Sequence, residues 1–302
     1  MLEYLMLYNL GLKGYLLISK LRIVAVLNLV AITSLIAAGK GAVGAWDVAF
    51  LLLTGSMASM GSSALNHYYD KDIDVLMNRT SKRPIPSGVM KARNALIYGL
   101  GMSIASVIIA LLTLNAMTAF FIALGIFFYV LIYTVWLKRR HTSNIVIGGF
   151  AGSCASYAGW AAATGGIDPL GFLVGLIVFL WTPTHFWCLS IVGREEYANA
   201  RVPMLPVLVG DKRAAMYILV NTIVLVPYSI VIAFLGLGVV YLIASILAGI
   251  MLLHYNIRLV RNTSKDVAWH TYKLSSPYLA IIFIALMLDS IYNYPLPLIT
   301  LS

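Results

Sequence analysis

Negative charge is what this sequence has least of. Only 11 of its 302 residues are Asp or Glu, and all charged residues together make up 11%, against about 25% in an ordinary globular domain. A chain with so little charge cannot cover a water-facing surface, which excludes a soluble fold. Cysteine is scarcer still. Cys154 and Cys188 both fall in apolar stretches without metal-ligand spacing, so neither a disulfide framework nor a thiolate metal centre is expected, and both read as small packing residues. The opening stretch, MLEYLMLYNLGLKGYLLISK, has no basic leader and no small-residue cleavage site. A removed signal peptide is therefore not expected, and the segment reads as an amphipathic lead-in lying at a membrane interface.

What the chain has in abundance is apolar sequence: 61% of it is hydrophobic and the mean hydropathy is +0.90. Runs of roughly 20 apolar residues recur along its length, each long enough to cross a bilayer as a helix that satisfies its own backbone. The expected fold class is all-α: one polytopic membrane domain over residues 1–302 with nine transmembrane helices. The spans are placed at 21–39, 47–66, 94–114, 117–137, 144–164, 169–190, 214–235, 238–257 and 275–295. Every Lys and Arg except Lys40 then precedes or opens the first span or follows the second, fourth, sixth or eighth. Such alternation predicts a cell-membrane protein whose N-terminus and basic loops are cytoplasmic and whose C-terminus lies outside. The net charge of +10 thus describes one face, suited to anionic lipid or an anionic substrate. No soluble module carries it, so nucleic acid is not an expected partner.

Against that background the stretch NHYYDKDIDVLMNRTSKRPIPSG, residues 66–88, is anomalous, because it holds three aspartates within five positions. If the second helix runs on, Asn66, Asp70 and Asp74 share one face and Asp72 turns away. Two carboxylates about 6 Å apart at an effective dielectric near 20 repel by roughly 3 kcal/mol, so a cation is expected among them. One reading is a solvated helix end neutralised by Lys71 and Arg79. The other is a Mg²⁺ site, since hard divalent ions take carboxylate and amide oxygens and share them with substrate phosphates.

A second acidic point, GREEYANARVPMLPV, follows the sixth span and contains Glu195 and Glu196, the only adjacent acids in the chain. The four-span separation suggests two pseudo-repeated four-helix halves around a central cavity. On the same face lie Arg22, Arg79, Lys82, Arg83, Lys138, Arg139 and Arg194. Acids and bases mixed in this way suit a metal-bridged diphosphate, with carboxylates on the ions and both ions and bases on the phosphate oxygens.

The first stretch resembles the leading signature of the UbiA-type intramembrane prenyltransferases, Asn-x-x-x-Asp-x-x-x-Asp followed by a basic Arg-Pro-x-Pro loop. Three further segments are similar to the haem O synthase (protoheme IX farnesyltransferase) branch: YTVWLKRRHTSNIVIGGFAGSCASYAGWAAATG, WTPTHFWCLSIVGREEYANARVPMLPVLVG and KLSSPYLAIIFIALMLD. The likeness runs from about Lys20 to Asp289. It departs from that branch where prolines give way to Leu21, to Ala155 and Ser156, and to Thr184, and where Glu195 and Glu196 stand in place of the commoner aspartate. Those lost prolines touch the acceptor side and leave the diphosphate chemistry intact.

The resemblance implies transfer of an isoprenoid from an allylic prenyl diphosphate donor to a lipophilic acceptor in the bilayer, with farnesyl to haem B as the specific expectation. It implies Mg²⁺ held by Asn66, Asp70, Asp74 and Glu196, with Glu195 beside them. Substrate contacts would come from Arg22, Arg79, Lys82, Arg83, Tyr133, Lys138 and His185. Tyr68, Tyr133 and Trp136 offer π faces to a carbocation, or serve as interfacial anchors. Within the same class, a quinone precursor or a glycerol-phosphate lipid is the alternative acceptor. A secondary transporter is the alternative from another class, and it is disfavoured because no acid or base lies at the middle of a span. A non-catalytic haem-binding protein would rest on His185 alone.

Overall fold

A computed structural model describes residues 13–292 and residue 296. Among them are nine helices long and apolar enough to span a bilayer: α1 (Leu21–Ala38), α2 (Ala45–Tyr69), α3 (Ala92–Thr113), α4 (Ala116–Leu137), α5 (Asn144–Thr164), α6 (Pro169–Val192), α7 (Asp211–Ala233), α8 (Val239–Arg261) and α9 (Lys265–Tyr292). Most of the lead-in lies outside the described residues, as do positions 293–295 of the last expected span. Its described part is a short helix over 13–18.

Local chemistry explains the tight outer turns. Asn115 caps α4 by accepting from the Thr118 backbone N–H at 2.8 Å, and Asp168 caps α6 by accepting from Gly171 N–H at 2.7 Å. In both cases a side-chain oxygen replaces the missing helical partner. Pro169 sits where a helix N–H has no partner to lose, and Gly165 ends α5 at φ 72°, a conformation glycine adopts without steric cost.

Each helix packs on the next in sequence, and α9 packs back on α1, so the bundle closes on itself. The α1–α5 crossing is tight. A Cβ placed on Gly159 would collide with the Ala31 carbonyl oxygen. Outward faces are apolar at helical spacing, as in Ile97, Leu100, Ile104, Ile108 and Leu111 of α3, all exposed; a multi-pass membrane protein presents such a surface to lipid.

Three boundaries differ from the sequence expectation in ways that matter. α2 extends to Tyr69 rather than 66, α8 continues to Arg261 rather than 257, and α9 begins at Lys265, ten residues before the expected 275. The added turns carry Arg258, Arg261, Lys265, Asp266 and Lys273. Hydropathy finds the part of a helix that lipid requires, not the polar overhang that continues beyond it. The fourth span departs in kind. It is α-helical to Phe127 and then a π-helix over Phe128–Leu137.

Candidate active site

The site grows from the end of α2. Asp70 leaves the helix at φ −85°, ψ 2°, yet its N–H still bonds the Asn66 carbonyl at 2.9 Å and the Asp74 N–H bonds the Asp70 carbonyl at 2.8 Å. The one-turn spacing therefore survives through the four-residue helix Lys71–Asp74. Asn66, Asp70 and Asp74 are all buried, and Asp72 is exposed.

Each buried acid has its own cation. Asp70 pairs with Lys138, and its other oxygen lies 3.7 Å from an Arg139 nitrogen. Asp74 receives Arg83 on both oxygens at 2.8 Å. Asn66 donates to Asp70 at 2.7 Å and to Thr134 at 3.2 Å, while its oxygen accepts from Lys20 at 2.9 Å. Lys20 is pushed well below the usual lysine value, first by burial and then by Arg83 and Lys138, with Asp70 and Asp74 opposing. Lys20 thus lies within the field of the other four charges. Asp72 points outward and takes two 2.7 Å bonds from Arg139, which hold its carboxyl below the usual range.

The neutralising partners are thus Lys138, Arg83 and Arg139 rather than the Lys71 and Arg79 of the solvated-end reading. Lys71 lies over the Tyr68 ring, and Arg79 donates to the Tyr197 hydroxyl at 3.3 Å.

The π-helix delivers Lys138. Its i to i+5 backbone bonding is seen where Lys138 N–H reaches the Tyr133 carbonyl at 2.8 Å; the Thr134 hydroxyl also donates to the Tyr129 carbonyl. The wider turn brings residues four and five apart onto one face. Tyr129 and Tyr133 stack at 5.7 Å, Tyr129 lies 3.4 Å from Lys20, and Tyr133 packs against Gly148, where a Cβ would come within 2.7 Å of the ring. π-Helical segments occur chiefly at functional sites. Trp136 is instead exposed on the outer surface.

The second acidic stretch forms a short helix, Arg194–Asn199. Glu195 is exposed and bonds Lys265 at 3.0 Å, which lowers its pKa. Glu196 is half-buried and has no ion pair among the described residues. Its neighbour Tyr197 is buried and takes the bond from Arg79, so the two acidic loops meet there. Lys82 and Arg22 are exposed, outside the buried ion-paired cluster. His185 is buried in α6, stacked on Trp181 at 4.3 Å and facing Tyr272 at 4.4 Å.

Among the described residues no three His, Cys, Asp or Glu stand close enough to hold a metal ion. The donor chemistry nevertheless fits a hard divalent cation: carboxylate and amide oxygens, with Asp70 Oδ1 buried and lacking a hydrogen bond. An ion there would take the carboxylates from Lys138 and Arg83. Sequence reasoning did not include Lys20, Tyr129, Thr134 or Tyr197 in the site. Lys20 was legible only as a charge beside the first span, and the aromatic face depends on a helix type that a 3.6-residue period does not reveal. His67, next to Asn66, is buried with both ring nitrogens unpartnered.

Fold and site together are a closed bundle of membrane-length helices with a buried acid–base cluster under two basic loops. Comparison with known proteins gives the family: residues 27–288 match the UbiA prenyltransferase family. The chain belongs to that family and is a prenyltransferase. It is 53% identical to protoheme IX farnesyltransferase 1 of Cenarchaeum symbiosum (strain A), over 95% of this chain and 99% of that protein. It is 41% identical to the protoheme IX farnesyltransferase of Sulfurisphaera tokodaii, over 91% and 92%. A relative of that name from Roseiflexus sp. (strain RS-1) is 41% identical, and there the match covers 93% of this chain and 53% of the longer protein.

Two solved structures share the fold. One, from work on digeranylgeranylglyceryl phosphate synthase, has a TM-score of 0.74 at 17% identity, covering 93% of this chain and 99% of that one. The other is a UbiA homologue from Archaeoglobus fulgidus bound to DMAPP and Mg²⁺, with a TM-score of 0.63 at 18% identity, covering 90% and 99%.

Proposed function

We propose that the protein transfers a farnesyl group from farnesyl diphosphate to haem B, in a Mg²⁺-dependent reaction at the cytoplasmic side of the cell membrane. The observation that carries this reading is the buried Asn66–Asp70–Asp74 run set among Lys20, Arg83 and Lys138, in a chain 53% identical to a named protoheme IX farnesyltransferase. A Mg²⁺ ion would be held by Asn66, Asp70 and Asp74 with Glu196 from the second loop, and when bound it supplies Lewis-acid stabilisation of the departing diphosphate.

The protein's own residues do the rest. Lys20, Arg83 and Lys138 stand where negative charge grows as the allylic C–O bond breaks, and preorganised cations in a site shielded from water stabilise that charge strongly. Lys82 adds an exposed cation at the entrance. The stacked faces of Tyr129 and Tyr133 border the same space and favour a carbocation. The surrounding helices shield it from bulk water until a vinyl carbon of the haem attacks, forming the new C–C bond after diphosphate has left; the positive charge this leaves on the acceptor is then discharged by addition of one water and loss of a proton. Glu195, tied to Lys265, orders the second loop rather than touching the reacting atoms.

The test is product analysis. Purified protein, haem B, farnesyl diphosphate and Mg²⁺ are incubated and the porphyrin fraction is weighed by mass spectrometry. A farnesylated haem that disappears with chelator is expected. Absence of that product, with prenylation of a quinone precursor or a glycerol-phosphate lipid instead, would overturn the acceptor assignment.

A further inference from the structure

We propose that His185 is an axial ligand for the iron of the haem acceptor, and that Arg22 and Arg79 receive that acceptor's carboxylates. This rests on the haem reading above and adds to it the place and chemistry of the acceptor site.

The hydrogen bonds around His185 suit a proton on Nδ1, with the Ser275 proton directed to the Tyr272 carbonyl. The Ser275 hydroxyl donates to the Tyr272 carbonyl at 2.7 Å, so its single proton is spent there. Towards His185 Nδ1, 2.7 Å away, that oxygen acts as acceptor, and Nδ1 is the donor. Nε2 is then left with its lone pair. Ser275 itself is held in place, because its carbonyl accepts from Trp181 Nε1 at 2.7 Å. An imidazole whose far nitrogen is oriented by a hydrogen bond while the near one keeps its lone pair is the usual arrangement of a metal-binding histidine.

A histidine serving only to tie α6 to α9 would do so through Nδ1 and bury the other nitrogen against a partner. Here Nε2 makes no hydrogen bond among the described residues, and unlike both nitrogens of His67 it is not among the fully sealed, unpartnered atoms, so it keeps a little accessible surface in an otherwise buried side chain. Trp181 and Tyr272 flank the ring and Phe186 meets it edge-on at 5.0 Å, giving aromatic surface suited to a flat macrocycle.

The charges nearby suit the other end of such a molecule. Arg79 is held beside the second loop by its bond to the Tyr197 hydroxyl at 3.3 Å, and Arg22 stands at the start of α1. Neither guanidinium has a carboxylate partner among the described residues, whereas Arg83, Arg139 and Arg194 each do. His185 is seven residues before the end of α6, about 10 Å below the loops at the helical rise. Arg22 is at the start of α1 and Arg79 is on the first loop, at the rim. Iron held below and carboxylates held at the rim by planar arginine forks match an amphipathic metalloporphyrin.

The experiment titrates the full-length protein in detergent with ferric haem B and, separately, with iron-free protoporphyrin IX, following the Soret band. Wild type is expected to give a saturable spectrum of nitrogen-ligated iron and to bind the iron porphyrin more tightly than the free base. His185→Ala should lose that spectrum and weaken iron-porphyrin binding more than about tenfold, with free-base binding unchanged and the spectrum restored by added imidazole. His185→Met, which keeps the volume and offers a sulfur ligand, should move the band rather than abolish it, and serves if the alanine variant does not fold. Arg22→Gln with Arg79→Gln should weaken both porphyrins alike. An unchanged Soret band in His185→Ala or His185→Met would overturn the ligand assignment while leaving haem as acceptor. Failure of either porphyrin to bind wild type, with prenylation of another acceptor, would overturn the haem reading itself.

Discussion

Asp70 is a fully buried carboxylate paired most closely with Lys138, Arg139 standing 3.7 Å from its other oxygen, and removing the close partner of a buried pair leaves a poorly compensated charge. Lys138→Gln should therefore destabilise the protein by about 3–5 kcal/mol, read as a lower unfolding midpoint in detergent. Adding Asp70→Asn should recover most of that stability and none of the activity, a coupling that separates structural from catalytic loss. Asp70→Asn alone should lower turnover of labelled farnesyl diphosphate by about 10²–10³-fold or more, as removal of charge stabilisation at a reacting centre does. Asp72 offers the internal contrast. Its pair with Arg139 is solvent-exposed, so Asp72→Asn should cost no more than about 1 kcal/mol. Arg139 depresses the Asp72 pKa, so this contribution is present above the ordinary carboxylate range and lost as pH falls through the lowered value. The variant's deficit should vanish in acid.

The residues of this cluster were legible to different degrees, for reasons of chemistry. Asn66, Asp70 and Asp74 stood out because acids are rare here and contribute little to orientation. Lys20, by contrast, looked like any other basic residue beside a span. Arg83 was named as a phosphate contact, and its two bonds to Asp74 required coordinates. Partnership among charges on one face is a matter of side-chain geometry that sequence order does not carry.

At the scale of elements, the π-helix and the tight α1–α5 crossing bear most on the site. Phe128–Leu137 reads in sequence as nine apolar or aromatic residues and one threonine that an α-helix would suit equally well, so its wider turn was invisible. Deleting one residue from its lipid-facing side, such as exposed Leu131, should return it to α-helical register. Lys138 would then rotate away from Asp70, with activity lost while total helicity by circular dichroism is kept. The α1–α5 crossing was also hidden, although Gly159 is plain in the sequence. Gly159→Ala should push α1 away from α5 at Ala31 and lower the unfolding midpoint, whereas Gly166→Ala, at a turn with open space around it, should have little effect. Span positions were legible because lipid demands about 20 apolar residues. Their polar overhangs, above all Lys265–Leu274 of α9, were not, because water places no such demand.

For the whole molecule, the sided distribution of Lys and Arg predicts orientation. Both native cysteines are buried, so they should not react with a membrane-impermeant maleimide, and an introduced one can report alone. Lys82→Cys should be labelled from the cytoplasmic side and Gly166→Cys from the opposite side; labelling of both from one side would contradict nine spans. The closed bundle adds a mechanical consequence. Because α9 packs back on α1, helices from both ends of the chain close the bundle, and the two acidic loops are joined at Arg79 and Tyr197.

The account turns on two acidic loops gripping one metal-bridged leaving group. Its most direct test is a crystal structure with Mn²⁺ and a non-ionisable thiolodiphosphate analogue of farnesyl diphosphate. Anomalous manganese peaks within coordination distance of Asp70, Asp74 and Glu196, with Lys138 and Arg83 moved from the carboxylates to the phosphate oxygens, are predicted. Analogue bound with Asp70 still paired to Lys138, and no manganese beside it, would contradict the account.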